Sequence, residues 1–356
     1  MNRLESKLEK IGRDPLSTAK AVRLRYCVNY SKGYFRIKKN NAFQYSDENQ
    51  NSITDSEILT RILKLVVPPA WENVWISPYE NGHLQATGID IKGRKQYRYH
   101  EQWNKIRNQS KFYRIQSFAL ALPMIRKQVE HDLKKKNLPY EKVIALVIKL
   151  IETTNIRIGN EAYKKLYGSF GLTTLQDRHA KFKNAQIQFE FIGKKGVTHK
   201  IKLISKKLAA LVKKCKDIPG QDLFQYYDSV GNHHTIGSGD INNYLKNITN
   251  QDFTAKDFRV WSGTVNALSA FQQLQPPESQ TESKRKIIEV IDEVALKLGN
   301  TRTVCKKYYV HPTVIAAFEK GSIWQYKSTK NNTNFLPMEY ALLKLLHKET
   351  IATVLG

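Results

Sequence analysis

The sequence predicts an α+β protein. A β-rich N-terminal part, residues 1–103, precedes a mainly α-helical part, residues 117–356, which a β-hairpin interrupts. Three observations lead there. Through the first hundred residues, short runs alternate apolar and polar side chains at a period of two between turn residues, as half-buried strands do. From about Ser117 the apolar residues recur at i, i+3 and i+4, the spacing of amphipathic helices. Ile187, Phe189 and Phe191 then return to a period of two, Gly193-Lys-Lys-Gly196 turns, and residues 197–203 run back. A length of 356 residues suits two domains, and the polar, basic stretch 104–116 between the halves reads as a hinge.

The elements follow in order. Residues 1–10 form a polar helical pattern without the apolar stretch of a secretory signal. Residues 23–28 and 33–37 alternate apolar and basic side chains, as strands do, whereas 41–52 is polar and loop-like. Asp55 opens a helix over 57–66, stopped by Pro68-Pro69. Residues 74–77 and 83–90 are strands, and the turn at 92–93 leads into a further strand over 94–100. Helices are expected over 116–136, 140–152, 205–216, 240–247, 264–273 and 282–298. A docking helix is expected over 338–355. His233-His234 lies on a Gly- and Asn-rich turn and reads as a solvated loop rather than a metal site.

Charge narrows the function. There are 58 Lys and Arg against 32 Asp and Glu, a formal net charge of +26, and such a surface attracts polyanions, nucleic acid first. Hydrophobic residues at 41% suffice for packed cores and argue against disorder. No apolar run approaches the roughly 18–20 residues that span a bilayer, so a cytoplasmic protein with no membrane partner is expected. Cys27, Cys215 and Cys305 lie too far apart for a disulfide framework or a Cys-x-x-Cys zinc pair.

Twelve cations run from Arg178 to Lys216 with only Glu190 among them, a candidate phosphate track. Arg94, Lys95, Tyr97, Arg98 and Tyr99 interleave cations with aromatics. Alternation sets Tyr97 and Tyr99 on one face with Lys95, which suits backbone and sugar contacts, and equally an ordinary strand with a buried tyrosine pair. No Gly-x-x-x-x-Gly-Lys-Ser/Thr loop, His-Glu-x-x-His motif or clustered acidic set is present. Acting on nucleic acid without metals would require cationic side chains to stabilise phosphate charge, with a side-chain nucleophile or a positioned base. Three segments hold such groups. Arg157 stands just before Gly159-Asn160, at a junction between two helical patterns. Lys256-Asp-Phe-Arg259 sets an arginine beside Trp261, and Tyr308-Tyr309 comes just before His311-Pro312, which is expected to stop a helix.

These segments resemble the type IB DNA topoisomerases, in particular the small bacterial branch related to the poxvirus enzymes. The resemblance also takes in Arg23-Leu-Arg-Tyr, Pro68-Pro-Ala-Trp, His83-Leu-Gln-Ala-Thr-Gly, Gly93-Arg-Lys-Gln-Tyr-Arg-Tyr-His, Gly171-Leu-Thr-Thr-Leu and Phe191-Ile-Gly-Lys-Lys-Gly. It spans roughly residues 20–315, with the motifs in the family's order. It implies the tyrosine recombinase/type IB topoisomerase catalytic fold for the helical part and a DNA-clamping role for the first. It implies Tyr309 as nucleophile, Arg157 and Arg259 on the non-bridging phosphate oxygens, and Lys194 as general acid, with Lys256 in support. Asn300 falls where other members carry histidine nine residues before the nucleophile, as in bacterial relatives. An amide donates a hydrogen bond but carries no charge. Tyr308 replaces a common serine, so two adjacent tyrosines compete for the role, and the Lys-x-Tyr-x-His-Pro alignment selects Tyr309. DNA contacts are expected from Arg94, Lys95, Tyr97, Arg98, Tyr99 and Lys195. The activity implied is relaxation of positive and negative supercoils by a monomer, without ATP, metal or other cofactor, on double-stranded DNA. Two alternatives stand beside it. A tyrosine recombinase usually shows His-x-x-Arg where this chain has Lys256-x-x-Arg259. A non-catalytic basic nucleic-acid-binding protein explains the charge but not the order Arg-Lys-Arg-Asn-Tyr.

Overall fold

A computed structural model describes residues 14–27, 32–39, 42–91, 93–326 and 334–355. The chain divides into two compact units, Met1–Arg114 and Ile115–Gly356. The helical pattern expected over 1–10 and residue 92 of the expected turn lie outside the described residues.

The first unit begins with α1 (Pro15–Ala21), which Asp14 caps through the amides of Leu16 and Ser17, with Pro15 at the first helical position. An antiparallel sheet follows, built from β1 (Tyr34–Lys39), β2 (Ala42–Ser46), β3 (Glu72–Ile76), β4 (Leu84–Ile89) and β5 (Lys95–Tyr99) in the order β2-β1-β3-β4-β5. Between β2 and β3 lies α2 (Ser56–Lys64), capped by Asp55 as expected. Its Ile62 packs on Val74, Ile76 and Ala86 of the sheet. Two expectations fail here. Residues 23–27 are not a strand, since Arg25 makes only an isolated bridge to Gly82 and Arg23 turns left-handed (φ 55°) after α1; the last residue of that expected strand, 28, lies outside the described residues. The loop expected over 41–52 contains β2, an edge strand with Ala42, Phe43 and Gln44 all exposed, so no alternation marks it.

The expected hinge, 104–116, falls inside the single helix α3 (Glu101–Asp132), as does the division between the units. The second unit is organised around α4 (Tyr140–Thr154), whose Val143 to Val147 and Leu150-Ile151 are buried. After α5 (Glu161–Tyr167) comes a sheet of β6 (Ala180–Lys183), β7 (Gln186–Ile192) and β8 (Thr198–Ile204), in that order. The expected hairpin is β7–β8, and the unexpected β6 pairs along its outer edge. Next come α6 (Lys206–Lys216), a small hairpin of β9 (Gln225–Tyr227) and β10 (His233–Thr235), and α7 (Ser238–Thr249). His234 is therefore in a strand rather than a loop, and its Nε2 lies 2.8 Å from Asp228 Oδ2.

The remaining helices are α8 (Ala255–Gln273), α9 (Gln280–Leu298), α10 (Arg302–Tyr308), α11 (Pro312–Glu319) and α12 (Pro337–Leu355). Helix α8 begins nine residues before the expected 264, because Asp257 accepts from the Thr254 amide and closes the helix start there. His311-Pro312 opens a helix instead of stopping one: His311 Nδ1 accepts from the Thr313 amide and Pro312 takes the first helical position. α4 packs against α6, α7 and α8, and α8 against α9, α11 and α12, which brings the ends of α4, α8 and α9 to one place. Among the described residues, no helix is long and apolar enough to cross a membrane.

Candidate active site

Two helix ends build the site. Helix α4 stops because Asn155 turns left-handed (φ 57°), a conformation asparagine tolerates, and this sends the chain into the extended segment bearing Arg157. Helix α9 stops at Gly299 (φ 58°), which delivers Asn300 beside it. Arg157 Nη2 donates to Gly299 O at 3.1 Å and to Asn300 Oδ1. Arg259, in the second turn of α8, is only 4% exposed. Its Nη1 donates to Asn155 O and its Nη2 to Leu298 O at 2.7 Å. The carbonyls that accept from both guanidiniums lie where α4 and α9 end, and helix ends carry partial negative charge, which is how two cations are held side by side under cover. Burial first, then the Arg157 charge, pulls Arg259 down to about 10, so it stays a cation at neutral pH.

Tyr309 closes this group. It follows the last residue of α10, and its carbonyl accepts from Thr264 Oγ1 of α8 at 3.2 Å. The Arg259 guanidinium carbon sits 5.2 Å from the centre of the Tyr309 ring, whereas the Tyr308 ring lies 5.6 Å from Lys307 Nζ. Burial pushes the Tyr309 hydroxyl up. The charges of Arg259 and Arg157, a hydrogen bond from Arg259 and the Lys256 charge outweigh it and hold the hydroxyl below the usual tyrosine value. Lys256 stands one turn before Arg259 on an exposed part of α8.

Lys194 reaches the site from another element. It lies on the β7–β8 turn, which the Gly193 amide closes onto Val197 O at 2.7 Å. Lys194, Arg157 and Arg259 line one cavity of about 340 Å³, together with Gly299 and His199. His199 had not been singled out, although a histidine at an inward position of β8, in step with Ile201 and Leu203, was the signal. Burial first, then Arg157 and Arg259, lowers its pKa and keeps the ring neutral. Two donors at the site, Arg259 Nε and Asn300 Nδ2, are buried without an acceptor among the described residues.

The other expected DNA-contacting residues, Lys195 apart, belong to the first unit. Tyr97 and Tyr99 share a face of β5 and stack, centroids 5.9 Å apart and planes 11° from parallel. Lys95 and Arg98 are exposed. Arg94 is held by Asp90, with Nε 2.7 Å from Oδ2. Lys195 is exposed at the hairpin turn with φ 66°.

A strand-rich unit followed by a helical unit whose helix ends gather two arginines about a tyrosine is the architecture of the tyrosine recombinase and type IB topoisomerase class. Comparison of the sequence separates the two. Residues 100–334 match the catalytic core of eukaryotic DNA topoisomerase I, and residues 42–90 match the N-terminal domain of bacterial DNA topoisomerase IB. The chain belongs to the type IB DNA topoisomerase family. It is 31% identical to the DNA topoisomerase 1B of Acanthamoeba polyphaga mimivirus over 289 residues, 78% of this chain and 85% of that protein. With the DNA topoisomerase 1B of Vaccinia virus (strain Copenhagen) it shares 23% identity over 284 residues, 76% of this chain and 86% of the other. Family membership sets aside both the recombinase and the non-catalytic alternatives.

Proposed function

We propose that this chain relaxes positively and negatively supercoiled duplex DNA by transient cleavage of one strand. The observation that carries the reading is the gathering of Arg157, Arg259 and Tyr309, with Arg259 Nε and Asn300 Nδ2 buried and lacking acceptors among the described residues. A scissile phosphate supplies those acceptors. Tyr309 Oη attacks phosphorus, and the bond to the 5′-oxygen breaks. Lys194 gives that oxygen its proton, and a 3′-phosphotyrosyl link remains. Arg157, Arg259 and Asn300 donate to the non-bridging oxygens as charge builds, and losing one such donor costs about 3–4 kcal/mol of barrier. Lys256 supports the phenolate. The free strand rotates about the intact one, and the reverse attack by the 5′-hydroxyl restores the strand. The phosphotyrosyl bond conserves the ester energy, so the cycle needs neither ATP nor metal.

Tyr97, Tyr99, Lys95 and Arg98 of β5 and Lys195 of the hairpin contact the duplex, while Arg94 has first to leave Asp90. The enzyme works as a cytoplasmic, nucleoid-associated monomer without an obligate protein partner, and residues 104–116 of α3 serve as the hinge between a DNA-clamping domain, 1–103, and a catalytic domain, 117–356. Plasmid relaxation in EDTA without nucleotide tests the whole reading, and plasmid that stays supercoiled at low salt defeats it. Tyr309→Phe is expected to abolish the covalent DNA adduct and Tyr308→Phe to retain it; the reverse result exchanges the two tyrosines.

A further inference from the structure

We infer that His199 is a positioning residue whose imidazole wedges the hairpin turn apart from the end of α9 and so sets where Lys194 stands over the phosphate. This rests on the reading of Lys194 as general acid. His199 lies opposite Phe191 in the β7–β8 register, and the two rings stack with centroids 5.1 Å apart. It occupies an inward position, while its neighbours Thr198 and Lys200 are exposed on the opposite face of β8. Two glycines flank the ring. A β-carbon on Gly193 would come within 2.5 Å of His199 Cδ2, and one on Gly299 within 2.4 Å of Cε1. The imidazole therefore fills the space that both glycines leave open.

Those glycines adjoin the working residues. Gly193 precedes Lys194 in a turn closed by its own amide, so a shift of Gly193 carries the lysine with it. Gly299 precedes Asn300, and its carbonyl holds Arg157. The thickness of one ring thus spaces the acid from the arginine that holds the phosphate. An uncharged ring suits a place faced by Arg157 and Arg259, and burial together with those two cations keeps it so. Placement matters here because a misplacement on the order of 1 Å costs about a hundredfold in rate.

The test is single-turnover cleavage by the full chain on two duplexes, one with the ordinary 5′-oxygen leaving group and one with a bridging 5′-sulfur. A thiolate departs without protonation, so a defect in the general acid disappears on the sulfur duplex. His199→Ala is expected to slow the oxygen duplex by about 10- to 100-fold and the sulfur duplex by less than about threefold, as Lys194→Ala does. His199→Gln is expected to show the same split and serves if the alanine variant does not fold, since rapid cleavage of the sulfur duplex itself reports an intact site. Equal slowing on both duplexes, with Lys194→Ala rescued, would assign His199 to general support of the site and overturn the proposal. No slowing on either duplex would overturn it too. If sulfur failed to rescue Lys194→Ala, the acid assignment itself would fall, and the wedge with it.

Discussion

A tyrosine serves as nucleophile at neutral pH only if its phenolate lies within reach, and the surroundings of Tyr309 act on that equilibrium from both sides. Burial opposes ionisation, and Arg259, Arg157 and Lys256 outweigh it. With Tyr309 as the proposed nucleophile, the cleavage rate is expected to follow the phenolate fraction, rising with pH and levelling off once pH passes the lowered value, short of the usual tyrosine value of about 10. Lys256→Gln removes one cation without touching the arginines, so the inflection moves upward and the rate at neutral pH falls. Single-turnover cleavage followed from about pH 6 to about pH 10 reads both effects; an inflection that stays in place would detach Lys256 from the nucleophile. The residues that the fold gathers were legible where they sit in contiguous motifs, as at Arg157, Lys256-x-x-Arg259 and Asn300 to Tyr309. It was not legible where the partners are backbone atoms or distant residues. The carbonyls of Asn155 and Leu298 that hold Arg259 have no sequence signature. The packing of His199 between Gly193 and Gly299 joins positions that only folding brings together.

Among the elements, α12 shows how a segment remote from the chemistry supports it. Its Glu339, 4% exposed, accepts from Arg126 Nη1 and Nη2 of α3 at 2.9 and 2.7 Å and from Trp261 Nε1 of α8 at 2.9 Å. Trp261 lies two residues beyond Arg259, so the carboxylate ties the last helix to the one that carries Arg259. Burial pushes Glu339 up, but the Arg126 hydrogen bonds and charge, Trp261 and the Leu336 amide prevail and hold it below the usual carboxylate range. A carboxyl whose folded pKa is depressed stabilises fully above its unfolded value of about 4.3 and loses that contribution as pH falls through the folded value. Glu339→Gln breaks a buried pair and is expected to cost about 3 kcal/mol at neutral pH. The gap to the unmodified protein narrows at an acidic pH below the unfolded value of about 4.3, as the carboxyl takes up its proton. Urea denaturation at both pH values checks this, and a gap independent of pH would assign the effect to packing alone. Elements with a long, clean period, such as α4 and α9, were legible in advance. Those missed were short or lacked a one-sided face: β6 has four residues, α10 seven, and β2 exposes successive residues. At α11 the difficulty was chemical, because proline marks a helix start as readily as a stop.

For the whole molecule, the net charge of +26 separates into cations held inside and cations left on the surface. Arg126, Arg157 and Arg259 are bound to carboxylates, an amide or carbonyls and set geometry rather than affinity. Most of the lysines between Arg178 and Lys216 remain outside. On the β6–β7–β8 sheet, Lys181, Lys183, Lys200 and Lys202 are exposed. Glu190 lies 3.2 Å from Lys181 and 3.0 Å from Lys200, so half of that set is already partly compensated. Surface cations that neutralise phosphates release counterions, and log K for DNA then falls with log salt by about 0.9 per phosphate. The double variant Lys183→Gln, Lys202→Gln removes the two members that have no carboxylate partner among the described residues and is expected to make that slope shallower by about 1.8. Titration of a labelled duplex at a series of salt concentrations measures it. Cleavage within the bound complex is expected to persist, because Lys202 points away from the face of β8 that carries His199. An unchanged slope would place this sheet face off the DNA and shift the electrostatic work to the other basic patches. Unequal effects of the two single variants would show how far along the sheet the phosphate track extends, since Lys183 and Lys202 stand on different strands.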